Sequence, residues 1–459
     1  MSLRNRSILF PSLAAAVCLL AVSCLADSQA RIVRLSDVQG DVQIDRATGQ
    51  GYEKAFANFP VTQDVKLKTR ADGRAEVEFE DGSTLRLAPL TEVEFPALSL
   101  RDSGGKLSTI DIKHGIAYFN YQGKKEDEFS VNFFKQHIAL SDQSHFRVFA
   151  ATDGSMVSVF SGSLKVDGPN GEVALEKKRS ASFLPDVDQP KLAKNVPELE
   201  FDDWDKSQQQ YHDRYMAKSY NDYSPFAYGV SDLNYYGNFV SIPGYGMGWQ
   251  PYFAGAGWDP YMNGAWTFYP GVGYTWVSAY PWGWTPYHYG SWVNTPSGWA
   301  WIPGGSWAGF GRTPVLTGVS RGTLPQVPTS GGGRTLVVNR GPDSTMSNAR
   351  SNKIVIANNS AGLGVARGSL RSPAQLSQRV AEKGAVSTNV RNTPITRPSY
   401  PSSVATGQPA GVYGRPMSSP STMSSPSSRT MSAPSSSGMG RGMGGSAPAR
   451  SAPSGSPRR

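Results

Sequence analysis

Past residue 30 the chain has no cysteine, because its two, Cys18 and Cys24, both lie in the first thirty residues. Once that stretch is removed no thiol remains, which excludes disulfide staples, thiolate metal sites and a cysteine nucleophile. Long apolar runs are scarce as well. The longest is the ten residues Leu13–Val22, against the ~20 that a spanning helix needs, so no transmembrane span is expected. With Arg4 and Arg6 before it and small residues at Cys24-Leu25-Ala26 and Ser28-Gln29-Ala30 after it, segment 1–30 reads as a secretory signal peptide cut after Ala26 or Ala30. Lipidation at Cys24, on the run Ala21-Val22-Ser23-Cys24, is the alternative. The expected location is periplasmic or secreted.

Catalytic signatures are missing too. The five histidines, His114, His137, His145, His212 and His288, form no His-x3-His pair and no His-Glu-x-x-His set, and read as ordinary surface or turn residues. There is no Gly-x-Ser-x-Gly elbow and no phosphate loop. No catalytic, metal-ligating or cofactor-binding residue is assigned, and the chain is expected to be neither an enzyme nor a cofactor carrier. Charge is unevenly spread. From Arg312 to Arg459 eighteen Lys and Arg face only Asp343 and Glu382, a balance of +16, whereas 31–311 comes to about −8. An acidic folded part therefore carries a basic tail.

What is present begins with strands. Segment 31–186 alternates apolar and polar residues with the two-residue period of a sheet: Val38, Gly40, Val42 and Ile44 open it, and Ala75, Val77 and Phe79 alternate with Glu76, Glu78 and Glu80. Asp81-Gly82 supplies a turn before Leu85 and Leu87. Placing Phe79 opposite Leu85 sets Glu78 opposite Arg86, and the three glutamates then read as a solvated face. Asp72-Gly73, Asp153-Gly154 and Asn170-Gly171 mark further reversals.

The run DGRAEVEFEDGSTLRLAPLTEVEF (Asp72 to Phe95), with Val38-Gln39-Gly40-Asp41-Val42 before it and VFSGSLKV (Val159 to Val166) after it, resembles the FecR family of bacterial periplasmic domains. The resemblance covers about a third of the chain and implies a small all-β fold. It departs from the family at Ser144-His145, where a Gly-Thr is usual. FecR-type regulators that address a sigma factor also carry a cytoplasmic segment and a membrane helix, so transmembrane signalling by this chain alone is not expected.

Segment 197–220 is the helix candidate, a linking helix with Trp204, Gln208, Tyr211 and Tyr215 on one face and Asp202, Asp203 and Asp205 near its start, where they complement the helix dipole. Segment 223–310 holds ten of the eleven tryptophans, and between 235 and 310 its only formal charge is Asp259. Gly257 to Trp266 returns twenty-six residues later as Gly283 to Trp292, in the pattern G-W-x-P-Y-x-x-G-x-W, and a degraded earlier copy ends at Phe239. The period predicts one small unit used three times, read as a twisted β-hairpin whose rings pack on the next copy. This region, opened by Gly229 to Phe239, resembles a Trp- and Tyr-rich repeat region found downstream of FecR-like domains in bacterial envelope proteins. Segment 312–392 is a weakly structured extension in which Thr335–Val338 and Lys353–Ile356 are candidates for an added hairpin. Segment 393–459, rich in Ser, Pro, Gly and Arg, is expected to be disordered.

The fold class is thus mainly β: a FecR-like all-β domain, one linking helix, an aromatic hairpin module and a disordered tail. Most indole rings must be buried, since ten exposed ones exceed what a soluble surface tolerates. Those that stay open form a possible binding platform at Trp258, Tyr261, Trp266, Trp284, Tyr287 and Trp292. The expected function is binding or scaffolding with an envelope protein, or with an anionic cell-wall or polysaccharide partner. A carbohydrate- or peptidoglycan-binding module is the alternative and an envelope hydrolase using acids of the first domain the third. Nucleic acid is not an expected partner of an exported chain, and the oligomeric state is left open.

Overall fold

The computed structural model describes residues 31–101, 103–185, 187–216, 226–252, 254, 258–270, 273–307, 315–317, 327–328, 336–339 and 367. The signal-peptide and Cys24 readings, the strand candidate at Lys353–Ile356 and the tail 393–459 lie outside them.

The chain is mainly β, and its first part is a two-sheet sandwich. One sheet contains β1 (Val33–Gln39), β2 (Arg74–Glu78), β3 (Thr84–Leu87), β4 (Lys106–Tyr121), β5 (Ser144–Ala151), β6 (Gly154–Ser161) and β7 (Arg179–Phe183), each antiparallel to the next. The second contains Val42–Asp45, Lys66–Thr69, Glu92–Leu100, Glu128–Phe133 and Gln136–Leu140. Alternation turns Leu35, Ala75, Val77, Leu85, Phe119, Phe146 and Val157 of the first sheet inward, against Val42, Ile44, Leu67, Val93, Ile110 and Val131 of the second. Burial of these side chains, about 1.5–3 kcal/mol for each large one, holds the sheets together.

β4 belongs to both sheets. Residues 106–114 pair with Glu92–Leu100, and 115–121 pair with β5. Gly115 sits at the crossing with φ +101°, and a Cβ there would lie 2.5 Å from the Thr91 Cα. The Thr91 hydroxyl clamps the same corner, accepting from the Ile116 N–H at 2.9 Å. Only glycine meets both demands.

The Asp81-Gly82 turn forms, but the register differs from the one expected. Glu76 stands opposite Arg86 and Val77 opposite Leu85. The reversal takes three residues, Glu80 to Gly82, closed by the Phe79 N–H to the Ser83 carbonyl at 2.8 Å, with Gly82 at φ +88°. The three-residue loop is centred on Asp81 with its glycine last and left-handed, whereas the expected pairing centres it on Gly82, which moves the partners by two places.

Among the described residues three helices follow: α1 (Asp202–Tyr215), α2 (Val230–Tyr236) and the single turn α3 (Thr285–His288). α1 lies inside the segment read as helical and buries Trp204, Gln208 and Tyr211. α2 and α3 fall in stretches read as strand-forming repeat. Pro286 in the first turn of α3 explains that difference, since its fixed φ suits a helix start.

The aromatic segment contains three hairpins: Gly237–Ile242 with Gly246–Pro251, Asn263–Tyr269 with Gly273–Ser278, and Tyr289–Thr295 with Gly298–Trp307. Each places an aromatic of its first strand opposite a tryptophan of its second, in the pairs Phe239 with Trp249, Trp266 with Trp276 and Trp292 with Trp301. The first and third hairpins join through Trp249 and Trp301, while Leu336–Asn339 adds a third strand to the second. The apolar run at 336–339 therefore completes an existing edge, which offers it unpaired backbone groups.

Gly115→Ala should cost roughly 3 kcal/mol, from left-handed backbone strain plus the clash with Thr91. Urea unfolding followed by far-UV circular dichroism measures it, and an unchanged midpoint contradicts this account of the corner.

Candidate functional site

β2 sends Ala75 and Val77 into the sandwich, so Glu76 and Glu78 must point the other way. That outer face is not the solvated one expected. α1, α2 and the loop before α2 cover it, and Glu76, Glu78 and Glu80 are 0%, 0% and 6% exposed. Alternation separates two faces but is silent on whether the second is wet. The cover comes from more than a hundred residues further along the chain.

A layer of paired charges fills the covered face. Arg31 holds Glu80 with two bonds of 2.7 Å. Arg34 donates to Glu78 at 3.0 Å, to Asp232 of α2 and to the Pro281 carbonyl at 3.1 Å. Arg86 bridges Glu76 and Asp205 of α1, each at 2.7 Å. Arg147 meets Asp202 and the Pro197 carbonyl. Asp202 and Asp205 thus serve as anchors on the sheet as well as complementing the helix dipole. His145 and His212, read as surface or turn residues, join the layer: His145 Nε2 lies 2.7 Å from Asp205, and His212 Nε2 lies 2.9 Å from Glu76. His288 is also buried, and burial, with Arg34 nearby, pushes its pKa down to about 3.

The layer splits its carboxylates. Burial pushes Glu76 upward, but Arg367, His212 and Arg86 outweigh it and hold the acid well below its usual range. Asp205 is lowered against the same penalty by His145 and Arg86, and Asp232 by Arg367 and Arg34. At Glu78 burial prevails and the pKa rises. Acids committed to guanidinium partners in this way have no open face toward a substrate. Among the described residues no group of three or more His, Asp and Glu is placed to hold a metal ion.

The six residues read as a possible platform form core instead. Trp258, Tyr261, Trp266, Trp284, Tyr287 and Trp292 are 0–7% exposed. Trp282 is the hub, with Trp249 at 4.9 Å, Tyr280 stacked at 5.1 Å, and Trp258, Tyr287 and Trp292 within 6 Å. Ring edges are fixed by hydrogen bonds from the Trp249 indole to the Leu233 carbonyl, from Trp292 to Pro286 and from Trp301 to Tyr289, at 2.7–2.9 Å. Sugar stacking needs an open ring face, and these six have none. Sequence reasoning missed Arg34, Arg147, His212 and Asp232. Only the buried-strand positions of the two arginines, flanked by apolar residues, carried a signal.

Residues 65–165 match the FecR protein family, and residues 230–313 match a family of unknown function, DUF6600. The chain carries both. No curated protein matches it. Two crystal structures of a candidate anti-sigma factor from Parabacteroides distasonis are similar over 28% of this chain and 59% of that one, at 18% identity and a TM-score of 0.26. The chain thus spans about three-fifths of that protein's length.

Asp205→Asn should destabilise the protein by about 3–5 kcal/mol at pH 7, because it leaves Arg86 and His145 short of a partner inside the layer. The folded pKa of Asp205 is depressed, so its contribution is whole above the unfolded value near 4 and is lost as pH falls through the folded one. The gap between variant and wild type should therefore narrow below pH 4 in urea titrations run from pH 7 to 3. A gap independent of pH contradicts this.

Proposed function

We propose that this FecR-domain protein is a non-enzymatic component of the bacterial cell envelope that works by binding, with the β domain and the aromatic module acting as one rigid body. What supports it most is the fate of the groups a catalyst or a lectin would use. Glu76, Glu78 and Glu80 of the first domain are spent on internal ion pairs, and the described indole rings on internal packing. A glycoside hydrolase needs two carboxylates facing across an open cleft, and a sugar-binding surface needs open rings. The envelope location rests on the leader at 1–30, and no helix among the described residues is long and apolar enough to cross a membrane.

The recognition chemistry left over is electrostatic. Segment 393–459 carries seven Arg and no Asp or Glu, which suits an anionic partner such as an acidic cell-wall polymer or polysaccharide, held by attraction that salt weakens. On an immobilised anionic polysaccharide the full chain should elute at higher salt than a form ending at residue 392. Identical elution of the two near 0.1 M salt removes the tail from the mechanism.

Tryptophan fluorescence decides the alternative. Emission should be blue-shifted, weakly quenched by acrylamide and unchanged by neutral wall sugars, because the ten indoles whose side chains are described are all under 10% exposed. A saturable change with a sugar would restore the stacking-platform reading.

A further inference from the structure

One side chain in the charge layer comes from neither the sandwich, the helices nor the hairpins. Arg367 lies in the segment beyond the Leu336–Asn339 strand, yet its guanidinium sits between the β domain and α2. Its Nη1 donates to Glu76 Oε1 at 2.6 Å, its Nε lies 3.3 Å from Asp232 Oδ1, and its Cζ stands 4.5 Å over the Tyr211 ring. His212 Nε2 borders it at 3.4 Å. The side chain is 6% exposed.

The layer needs this charge. Without Arg367, the carboxylates of Glu76, Glu78, Asp205 and Asp232 face two guanidinium groups, Arg34 and Arg86, together with the imidazoles of His145 and His212. Carboxylates uncompensated in a buried layer are costly. The shape also selects the ligand. Acids from two different elements lie at the rim and an aromatic ring forms the floor, which suits a planar cation with several donors in its plane and a face that stacks. An ammonium group has neither the fork nor the flat face.

We infer that Glu76, Asp232 and Tyr211 build a guanidinium socket, and that Arg367 is its resident ligand, fastening the C-terminal extension to the folded body. The ligand class is an arginine side chain presented by a peptide, here supplied in cis. Glu76 belongs to the β domain while Tyr211 and Asp232 belong to α1 and α2, so the socket exists only when these parts are docked. Occupancy then favours the docked state, as any ligand favours the form that binds it. This site is independent of whatever the protein binds through its tail.

Two measurements on the full chain test it. Trypsin must take an arginine side chain into its own pocket, so the bond after Arg367 should be cut at least about tenfold more slowly in the native protein than in a synthetic peptide of residues 357–377, read by mass spectrometry over time. Equal rates overturn the socket. Second, Arg367→Ala should lower the melting midpoint by about 5–10 °C. Millimolar methylguanidinium should restore part of the loss, methylammonium should not, and the wild type should respond to neither. Arg367→Lys, which keeps the charge and loses the fork, should melt between the two. An unchanged midpoint in Arg367→Ala, or a loss that methylammonium repairs equally well, overturns the assignment. Should the alanine variant fail to fold, the tryptic map of the wild type and the lysine variant still decide.

Discussion

Everything distinctive in this molecule comes from burying a charged sheet face. Arg34, Arg86 and Arg147 project from the first sheet together with Glu76 and Glu78, and all five are removed from water. Each such ion costs several kcal/mol to desolvate unless a partner of opposite charge meets it with good geometry. Glu78 and Glu76 pair with Arg34 and Arg86 within the sheet, and the set is completed from outside the sandwich by Asp202 and Asp205 on α1 and Asp232 on α2. A helix shifted by one turn would leave charges of both signs buried and alone. The layer thus adds modest net stability but sets one position for the helices on the sheet, and with them one position for the aromatic hairpins. Hydrogen bonds beyond the layer keep the same alignment: Asn58 donates to the Ser278 and Tyr280 carbonyls, and Tyr269 to that of Pro60.

The aromatic core solves a different problem. A stretch with almost no charge and many indoles has a large apolar area to hide and few directional groups to specify how. Repetition supplies the specification. Each hairpin sets a pair of rings across its strands, and the Pro-Tyr turn of the later copy places a tyrosine against the earlier one, as Tyr287 packs on Tyr261 at 5.3 Å and donates to the Pro260 carbonyl. Around Trp282, edge-to-face contacts to Trp249 and Trp258 are combined with stacked ones to Tyr280 and Tyr287, both arrangements that ring quadrupoles favour when the stack is offset. Indole N–H groups then tie several rings to backbone carbonyls, which leaves the core fewer alternative packings.

How much of this was legible in the sequence depends on how far apart the interacting residues lie. The strand alternation around Ala75 to Phe79, the Asp81-Gly82 reversal and the helical stripe of Trp204, Gln208 and Tyr211 are local patterns, and each appears where its period placed it. The twenty-six-residue repeat pointed to three hairpins because it spans single supersecondary units. The register of β2 on β3 was read two places off, since a dipeptide cannot say which residue its loop is centred on, Gly82 in the expected pairing and Asp81 in the structure. The glutamate face was misread as wet because its cover, Asp205, His212 and Asp232, lies 119 to 198 positions from the residues it meets, Arg86, Glu76 and Arg34. Nothing within a strand records such a partner. The platform reading failed for a related reason: aromatic density reports that rings cluster, whereas accessibility is a property of the finished packing.

The division of labour between the two buried layers bears on what remains for recognition. Charged side chains near the helices neutralise one another, and rings in the hairpins satisfy one another, so neither set contributes a strong field or an apolar patch to the surface. Long-range attraction then has to come from charge that the folded body does not cancel. The segment beyond residue 311 carries it in excess, at +16 against about −8 for 31–311. Arg367 is already committed to the acids of the charge layer, so the charge left for an anionic partner is that of the other cations. Salt weakens attraction between exposed charges but reaches a buried pair far less. A rise in ionic strength would therefore weaken binding to an anionic polymer before it weakened the pairing of Arg367.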